Sequence, residues 1–295
     1  MDFVQVAALA FVCECIDAAL GMGYGTILAP VLAIAGIEPI IATPAILFSQ
    51  ACGGFSAAFF HHRFANVSFL LRSFDLKFAV MVGGLGIIAT IAAAMLAMQM
   101  PPAVLKWYIA GLVIFMGSLL LLRRRVVCAA EHADTPHTLE AVRQAEQPRG
   151  NVSGRVMVLI GVISAFNKGL SGGGFGPVVT AGQILAGRRA RASIGVTTLA
   201  EAPICLASFC AYVLLRTVRQ YPEPVAAAWP EYLRWLFSAE VMRGELLAAL
   251  TVGAMLAAPV GPWLTSKIKE QWLHRALGIF IIILGLWMMR NSIWR

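Results

Sequence analysis

Two glycine-rich stretches, each next to an ionisable residue, are the parts of this sequence best suited to chemistry. Residues 17–25 read DAALGMGYG, and residues 167–177 read NKGLSGGGFGP. A shift of 151 residues needs no gap between positions 17 and 54, and it superimposes three glycines of one stretch on three of the other: Gly21, Gly23 and Gly25 on Gly172, Gly174 and Gly176. The sequence therefore contains an internal repeat, which constrains the architecture before any helix is counted.

The repeat also aligns residues that carry charge or an amide. Asp17 falls on Lys168, and Gln50 falls on Glu201. Glu14 precedes Asp17 by three residues, which places both on the same face of a helix. Charges at such depth in an apolar chain are costly and often mark an ion or substrate path. A structural ion pair between Asp17 and Lys168 is an alternative of equal weight.

Three carboxyl residues are our candidates for carrying a coupling proton: Glu14, Asp17 and Glu201. Glu201 is preferred, because apolar surroundings favour the neutral form of a carboxyl group. A hydrogen bond within the helix bundle is the alternative role for Glu201.

The glycines predict breaks in two helices. Such a break frees backbone N–H groups, which persist in a membrane only where they line a cavity or pack within protein. The helices that restart beyond each break point their N-termini at this place, and helix N-termini bind anions. The alternative is that the glycines only allow close helix packing. The predicted substrate-binding residues are Gly21, Gly23, Tyr24, Gly25, Gln50, Asn167, Lys168, Ser171, Gly172, Gly173, Gly174, Phe175 and Gly176.

The composition predicts an all-α polytopic membrane protein. Of 295 residues, 59% are hydrophobic and only 13% are charged, and the mean hydropathy is +0.79. A soluble domain has about 25% charged residues. The net charge of +8 fits basic loops that orient a membrane protein, so we expect no nucleic acid as partner. Ten apolar segments are predicted at 3–20, 24–36, 41–60, 77–98, 103–122, 155–168, 175–187, 193–215, 244–265 and 272–289.

The segments divide into two five-segment membrane repeats, 1–122 and 155–295, joined by a polar cytoplasmic linker at 123–154. The second repeat also holds a predicted external loop at 216–243. The turn at Glu38 is acidic, whereas its aligned turn at 188–191 holds three arginines. Opposite basicity places the two turns on opposite sides of the membrane, so the repeats are predicted to be inverted, with both chain termini outside. The short segments at matching places are expected to be broken or re-entrant helices.

Other chemistries find no support in the sequence. The glycines do not follow a strand as a dinucleotide fingerprint requires, and they lack the Gly-Lys-Ser/Thr of a phosphate-binding loop. The six cysteines show no zinc spacing, and paired membrane histidines for haem are missing. We therefore expect no catalytic residues, no cofactor and no metal, and hence a protein that is not an enzyme.

The duplicated glycine turn and the two-by-five layout resemble a known family. The stretch 167–177, followed by GVTT at 195–198 and EAP at 201–203, is similar to the sulfite exporter TauE/SafE family of bacterial membrane permeases. The resemblance covers essentially the whole chain outside the linker and the 216–243 loop. The first half departs from the second in lacking a basic residue at Asp17 and a glycine at Met22, so the two turns are expected to differ.

The resemblance implies a secondary transporter in the bacterial inner membrane that exports small sulfur-containing anions such as sulfite or organosulfonates. The candidate carboxyls add proton coupling to this expectation. The alternatives are an anion channel on the same scaffold and a transporter of small anions without sulfur. The expected partners are a small anionic substrate and membrane lipid, and a homodimer is considered as the assembly.

Overall fold

The computed structural model describes residues 2–122, 154–186, 188–220, 229–238, 242–267 and 271–293, and the regular structure in these ranges is entirely α-helical. Six described stretches are long and apolar enough to cross a membrane, which confirms the all-α polytopic prediction. The helices are α1 Phe3–Leu20, α2 Tyr24–Ile34, α3 Pro39–Arg63, α4 Phe74–Ala97, α5 Pro102–Leu122, α6 Gly154–Ser171, α7 Phe175–Leu185, α8 Ala190–Gln220, α9 Trp229–Leu236, α10 Gly244–Ala257, α11 Val260–Thr265 and α12 Gln271–Ile293.

The second repeat differs from the sequence prediction in three places. Helix α8 continues to Gln220, so the first residues of the predicted external loop at 216–243 belong to a helix. A further short helix, α9, lies within the same predicted loop. The predicted segment 244–265 is divided into α10 and α11, with Pro259 at the division. Residues 123–153 of the predicted linker at 123–154 lie outside the described residues.

Each glycine turn makes the chain double back on itself. Phe3 at the start of α1 and Ile37 beyond the end of α2 line the same cavity of about 330 Å³, so both ends of this unit lie on one side. In the second half, a Cβ on Gly182 of α7 would lie 3.8 Å from the Ile160 side chain of α6. The arm α2 has 11 residues, about 16 Å at 1.5 Å per residue. The structure therefore favours re-entrant hairpins over full spans.

The helix contacts follow the repeat. Helices α3 and α8, which are equivalent, pack against each other, and so do α5 and α12. Helix α4 packs on α6 and α8, just as α10 packs on α1 and α3. The contacts that α4 of the first half makes with the second half thus correspond to the contacts that α10 of the second half makes with the first half. The inverted insertion of the halves stays a prediction.

Side chains from the long helices satisfy the carbonyl groups that each break exposes. His61 Nε2 in α3 donates to the carbonyl of Ala18 over 2.9 Å, and Tyr212 in α8 donates to the carbonyl of Gly169 over 3.0 Å. The 151-residue shift maps both members of the first pair onto the second. Thr265 adds a second donor to the Ala18 carbonyl at 3.1 Å. A buried carbonyl without a donor costs free energy, so these bonds stabilise the broken helices.

The predicted orientation can be tested by cysteine labelling at two loop positions. In a cysteine-free background, we expect Glu223→Cys to react with a membrane-impermeant maleimide added outside intact cells. Thr135→Cys should react only after the membrane is opened, because the basic linker is predicted to be cytoplasmic. Labelling of Thr135→Cys in intact cells would contradict the model.

Candidate functional site

The two glycine turns cross with their backbones in direct contact. A Cβ on Gly25 would collide with the carbonyl oxygen of Gly172, and a Cβ on Gly176 would collide with the carbonyl oxygen of Gly21. The two collisions are equivalent under the repeat. The structure therefore supports close packing as the role of Gly25 and Gly176, and these two residues fix how the hairpin tips meet.

The other glycines of the turns supply backbone conformations that side chains rarely adopt. Gly21 and Gly172 have φ values of 71° and 76°, and Gly23 and Gly174 have φ values of 137° and 86°. Residues with a Cβ are strained in this region. Four positive φ angles at aligned positions show that both turns reverse the chain by the same device.

A chain of buried polar side chains joins the two halves beside this crossing. Lys168 Nζ lies 2.8 Å from Glu201 Oε1 and also donates to Gln50 Oε1. Gln50 Nε2 donates to Asp17 Oδ2 over 3.3 Å. The carboxylate of Glu201, and not that of Asp17, is therefore the ion-pair partner of Lys168. Gln50 stands between Lys168 and Asp17, so the alternative of a direct Asp17–Lys168 ion pair is wrong.

Asp17 has a second task, at the start of α2. Its Oδ1 accepts from the backbone N–H of Tyr24 over 3.0 Å, so a carboxylate of the chain caps this helix N-terminus. At the equivalent start of α7, Gly174 provides no side-chain cap. The residue aligned with Asp17 is Lys168, a cation that has no acceptor to offer. The two helix starts are thus aligned in sequence, but the aligned ionisable residues that precede them have opposite charges.

Glu14 is buried in the same region. Its Oε1 would lie 2.9 Å from a Cβ on Gly53, so the carboxyl group is packed tightly between α1 and α3. Within the described residues, its Oε2 has no hydrogen-bond partner. The site therefore collects three carboxyl groups around one lysine: Glu14, Asp17 and Glu201.

Several predicted substrate-binding residues have other contacts. Asn167 Oδ1 accepts from Tyr108 of α5 at 2.6 Å, and Ser171 Oγ donates to the Asn167 carbonyl at 2.8 Å. Tyr24 and Phe175 are fully buried in the apolar core, where the Tyr24 hydroxyl lies 2.7 Å from Ser49 Oγ. Their contact with a substrate, like that of Gly173, stays a prediction.

Sequence reasoning missed a second buried charge pair. Arg188 was interpreted only as part of a basic turn that orients the protein, but its side chain is buried and paired with Asp75 of α4. The repeat contained a signal for it. The aligned residue in the first half is Ile37, and a charge opposite an isoleucine indicates that this part of the second half has a use of its own.

Comparisons with known proteins agree with this fold. The family model for the sulfite exporter TauE/SafE matches residues 6–288. The chain is 25% identical over 285 residues to the probable membrane transporter protein YtnM of Bacillus subtilis (strain 168), an alignment that covers 96% of this chain and 81% of the relative. The match extends through both hairpins and every membrane helix described above. The chain belongs to the sulfite exporter TauE/SafE family and is a multi-pass membrane transporter.

Proposed function

We propose that the protein exports small sulfur-containing anions, such as sulfite or organosulfonates, across the bacterial inner membrane together with protons. The buried polar cluster of Glu14, Asp17, Gln50, Lys168 and Glu201 is its cargo site. One observation carries the proposal. The Asp17 carboxylate accepts from the first backbone N–H of α2, whereas the residue aligned with Asp17 before α7 is Lys168, and the N-cap residue Gly174 has no side chain that could accept such a bond.

In this proposal the cargo anion takes the place in the second half that the Asp17 carboxylate has in the first. The first turn of α7 has backbone N–H groups at Phe175 and Gly176, though none at Pro177, and it carries the positive end of the helix dipole. Lys168 contributes the full positive charge. A sulfonate group has three oxygen acceptors, so it can bind an ammonium group and backbone amides together. Half-helix N-termini receive anionic cargo in this way in other transporters.

The ion-pair partner of Lys168 supports the proposal of proton coupling. Glu201 Oε1 lies 2.8 Å from Lys168 Nζ, where it competes with an incoming anion. When Glu201 takes up a proton, it loses its charge and releases Lys168 to the cargo. Lys168 also donates a hydrogen bond to Gln50, which in this proposal does not have to break when the cargo binds. Anion and proton then bind together, and the exporter description of the family favours outward movement of the pair.

The test is calorimetric binding to purified protein in detergent. Sulfite, sulfate, taurine, sulfoacetate and acetate are compared. We expect sulfite and sulfoacetate to bind most tightly. Sulfoacetate is fully ionised at neutral pH, so proton uptake by the protein can be read from the dependence of heat on buffer. About one proton for each bound anion is expected from the exchange at Glu201.

Glu201→Gln is the matched control. It should still bind sulfoacetate, because Lys168 remains and no carboxylate competes for it, but the proton uptake should vanish. Equal binding of acetate and the sulfur anions would refute the sulfur specificity. Flux in proteoliposomes that rises linearly with concentration, without proton uptake, would instead establish an anion channel.

A further inference from the structure

One half of the protein carries polar side chains where the other is apolar. Under the 151-residue shift, five polar residues of α7, α8 and their connection align with apolar residues of the first half. Thr180, Gln183, Arg188, Ser193 and Thr197 align with Ala29, Leu32, Ile37, Ala42 and Ile46, respectively. All ten positions lie in the same fold, and the apolar set shows that the fold does not require polarity there. The polar residues therefore call for a separate explanation.

Four of these residues form one continuous series of hydrogen bonds, which we name the polar line. It begins at the first glycine turn, where Thr180 Oγ1 lies 3.2 Å from the Gly21 carbonyl and 3.0 Å from Thr197 Oγ1. Gln183 Nε2 donates to Thr197 Oγ1 over 3.0 Å, and Arg188 Nη1 donates to Gln183 Oε1 over 2.5 Å. The line thus runs from the crossing of the hairpins to the turn at 188–191.

At its outer end the polar line meets a closed charge pair. Arg188 Nη2 binds Asp75 Oδ1, and Asp75 Oδ2 accepts from the backbone N–H of Ser68 over 3.5 Å. The guanidinium group also lies against the rings of Phe74 and Phe78, at 5.1 and 5.4 Å from their centres. Arg188 is 4% exposed and Asp75 is fully buried. Both side chains of the pair are therefore shielded from solvent at this end of the polar line.

We propose that the polar line is the path of the cargo anion between the glycine turns and the face carrying 188–191, and that the Arg188–Asp75 pair closes it. This inference rests on the proposed function, since it takes the glycine turns as the cargo site. Hydroxyl and amide groups can donate to an oxyanion at each step of the path. A guanidinium group binds a sulfonate or a carboxylate in the same forked geometry.

The closed pair also explains how arrival of cargo opens the path. An oxyanion at the mouth competes with the Asp75 carboxylate for Arg188, so the closing contact is replaced by a contact with the cargo. The aligned positions of the first half hold apolar side chains, and Leu32 and Ile46 among them are fully buried. The closing charge pair is therefore a feature of the second half.

The test measures access to the polar line without any cargo. In a cysteine-free background, Thr197→Cys is treated from the face of 188–191 with the anionic reagent 2-sulfonatoethyl methanethiosulfonate. Asp75→Asn removes the carboxylate that pairs with Arg188, and the loss of this negative charge should weaken the binding of the buried guanidinium group in its place. We expect the modification rate at Thr197→Cys to rise at least tenfold. The modification rate with the cationic trimethylammonium analogue of the reagent should rise much less.

Ile46→Cys, at the aligned position, is the matched control, and its slow modification should not change with Asp75→Asn. The exchange Asp75→Arg with Arg188→Asp restores a pair and should restore the slow rate at Thr197→Cys. Arg188→Gln serves as the opening variant if Asp75→Asn does not fold. An unchanged rate at Thr197→Cys, or an equal rise at Ile46→Cys, would overturn the gate. Because the reagent reports access and not transport, this result is independent of which anion the protein carries.

Discussion

Replacing Gly25 by alanine is expected to destabilise the protein by about 3 kcal/mol or more. The added Cβ would collide with the carbonyl oxygen of Gly172, which belongs to a backbone that cannot turn away. Overpacking in a well-filled core costs about 1–3 kcal/mol, and a collision between two backbones belongs at the upper end. The midpoint temperature of thermal unfolding in detergent should fall by about 10 °C. It is measured as loss of the monodisperse peak on size-exclusion chromatography.

Gly84→Ala is the matched control. A Cβ on Gly84, in the middle of α4, meets nothing within 4 Å, so this change should be neutral or slightly stabilising. Gly176→Ala should match Gly25→Ala, because its Cβ meets the carbonyl oxygen of Gly21 in the equivalent way. Normal stability of both alanine variants would mean that the hairpin tips do not touch as described.

Lys168→Met should weaken binding of sulfoacetate at least 100-fold. Methionine has nearly the length of lysine without its charge, so the cargo loses the one cation of the polar cluster. Loss of a buried charged partner costs about 2–5 kcal/mol, and 1.4 kcal/mol is a factor of ten in affinity. Calorimetric titration of the purified variant measures the loss directly.

The same change also leaves Glu201 without its partner, which by itself can cost about 3–5 kcal/mol of stability. The double variant Lys168→Met with Glu201→Gln separates the two effects, because glutamine needs no counter-charge. We expect the thermal stability to return and the binding of sulfoacetate to stay lost. Recovery of native binding in the double variant would show that Lys168 only maintains the fold.

The repeat explains why much of this fold could be predicted. Glycines at 21, 23, 172 and 174 predict reversals of the chain, and the structure has positive φ angles at all four. The same shift identified Asp17, Gln50, Lys168 and Glu201 as members of one site, and these side chains do meet. The two turns cross each other, so residues next to the turns in both halves come together.

The pairings inside the site could not be predicted in the same way. Alignment shows which positions are equivalent, but which atom contacts which depends on the angle at which the hairpins cross. Lys168 therefore bonded with Glu201 and Gln50, and Asp17 bonded with the start of α2. Arg188 was misjudged for a related reason. Sequence rules count an arginine after a membrane helix as a loop charge, whereas Asp75, 113 residues away, draws it inside.

The bonds from Thr265 have a consequence for the order in which the protein is made. Thr265 Oγ1 donates to the carbonyls of Ala18 and Ala19, which are separated from it by 247 and 246 residues. At about 5–20 residues per second, a ribosome needs roughly 12–50 s to cover that distance. Until then the end of α1 lacks the hydrogen bonds from Thr265, while it lies inside the insertion machinery or against lipid headgroups. The first hairpin is thus among the first segments to be synthesised and among the last to complete its hydrogen bonds.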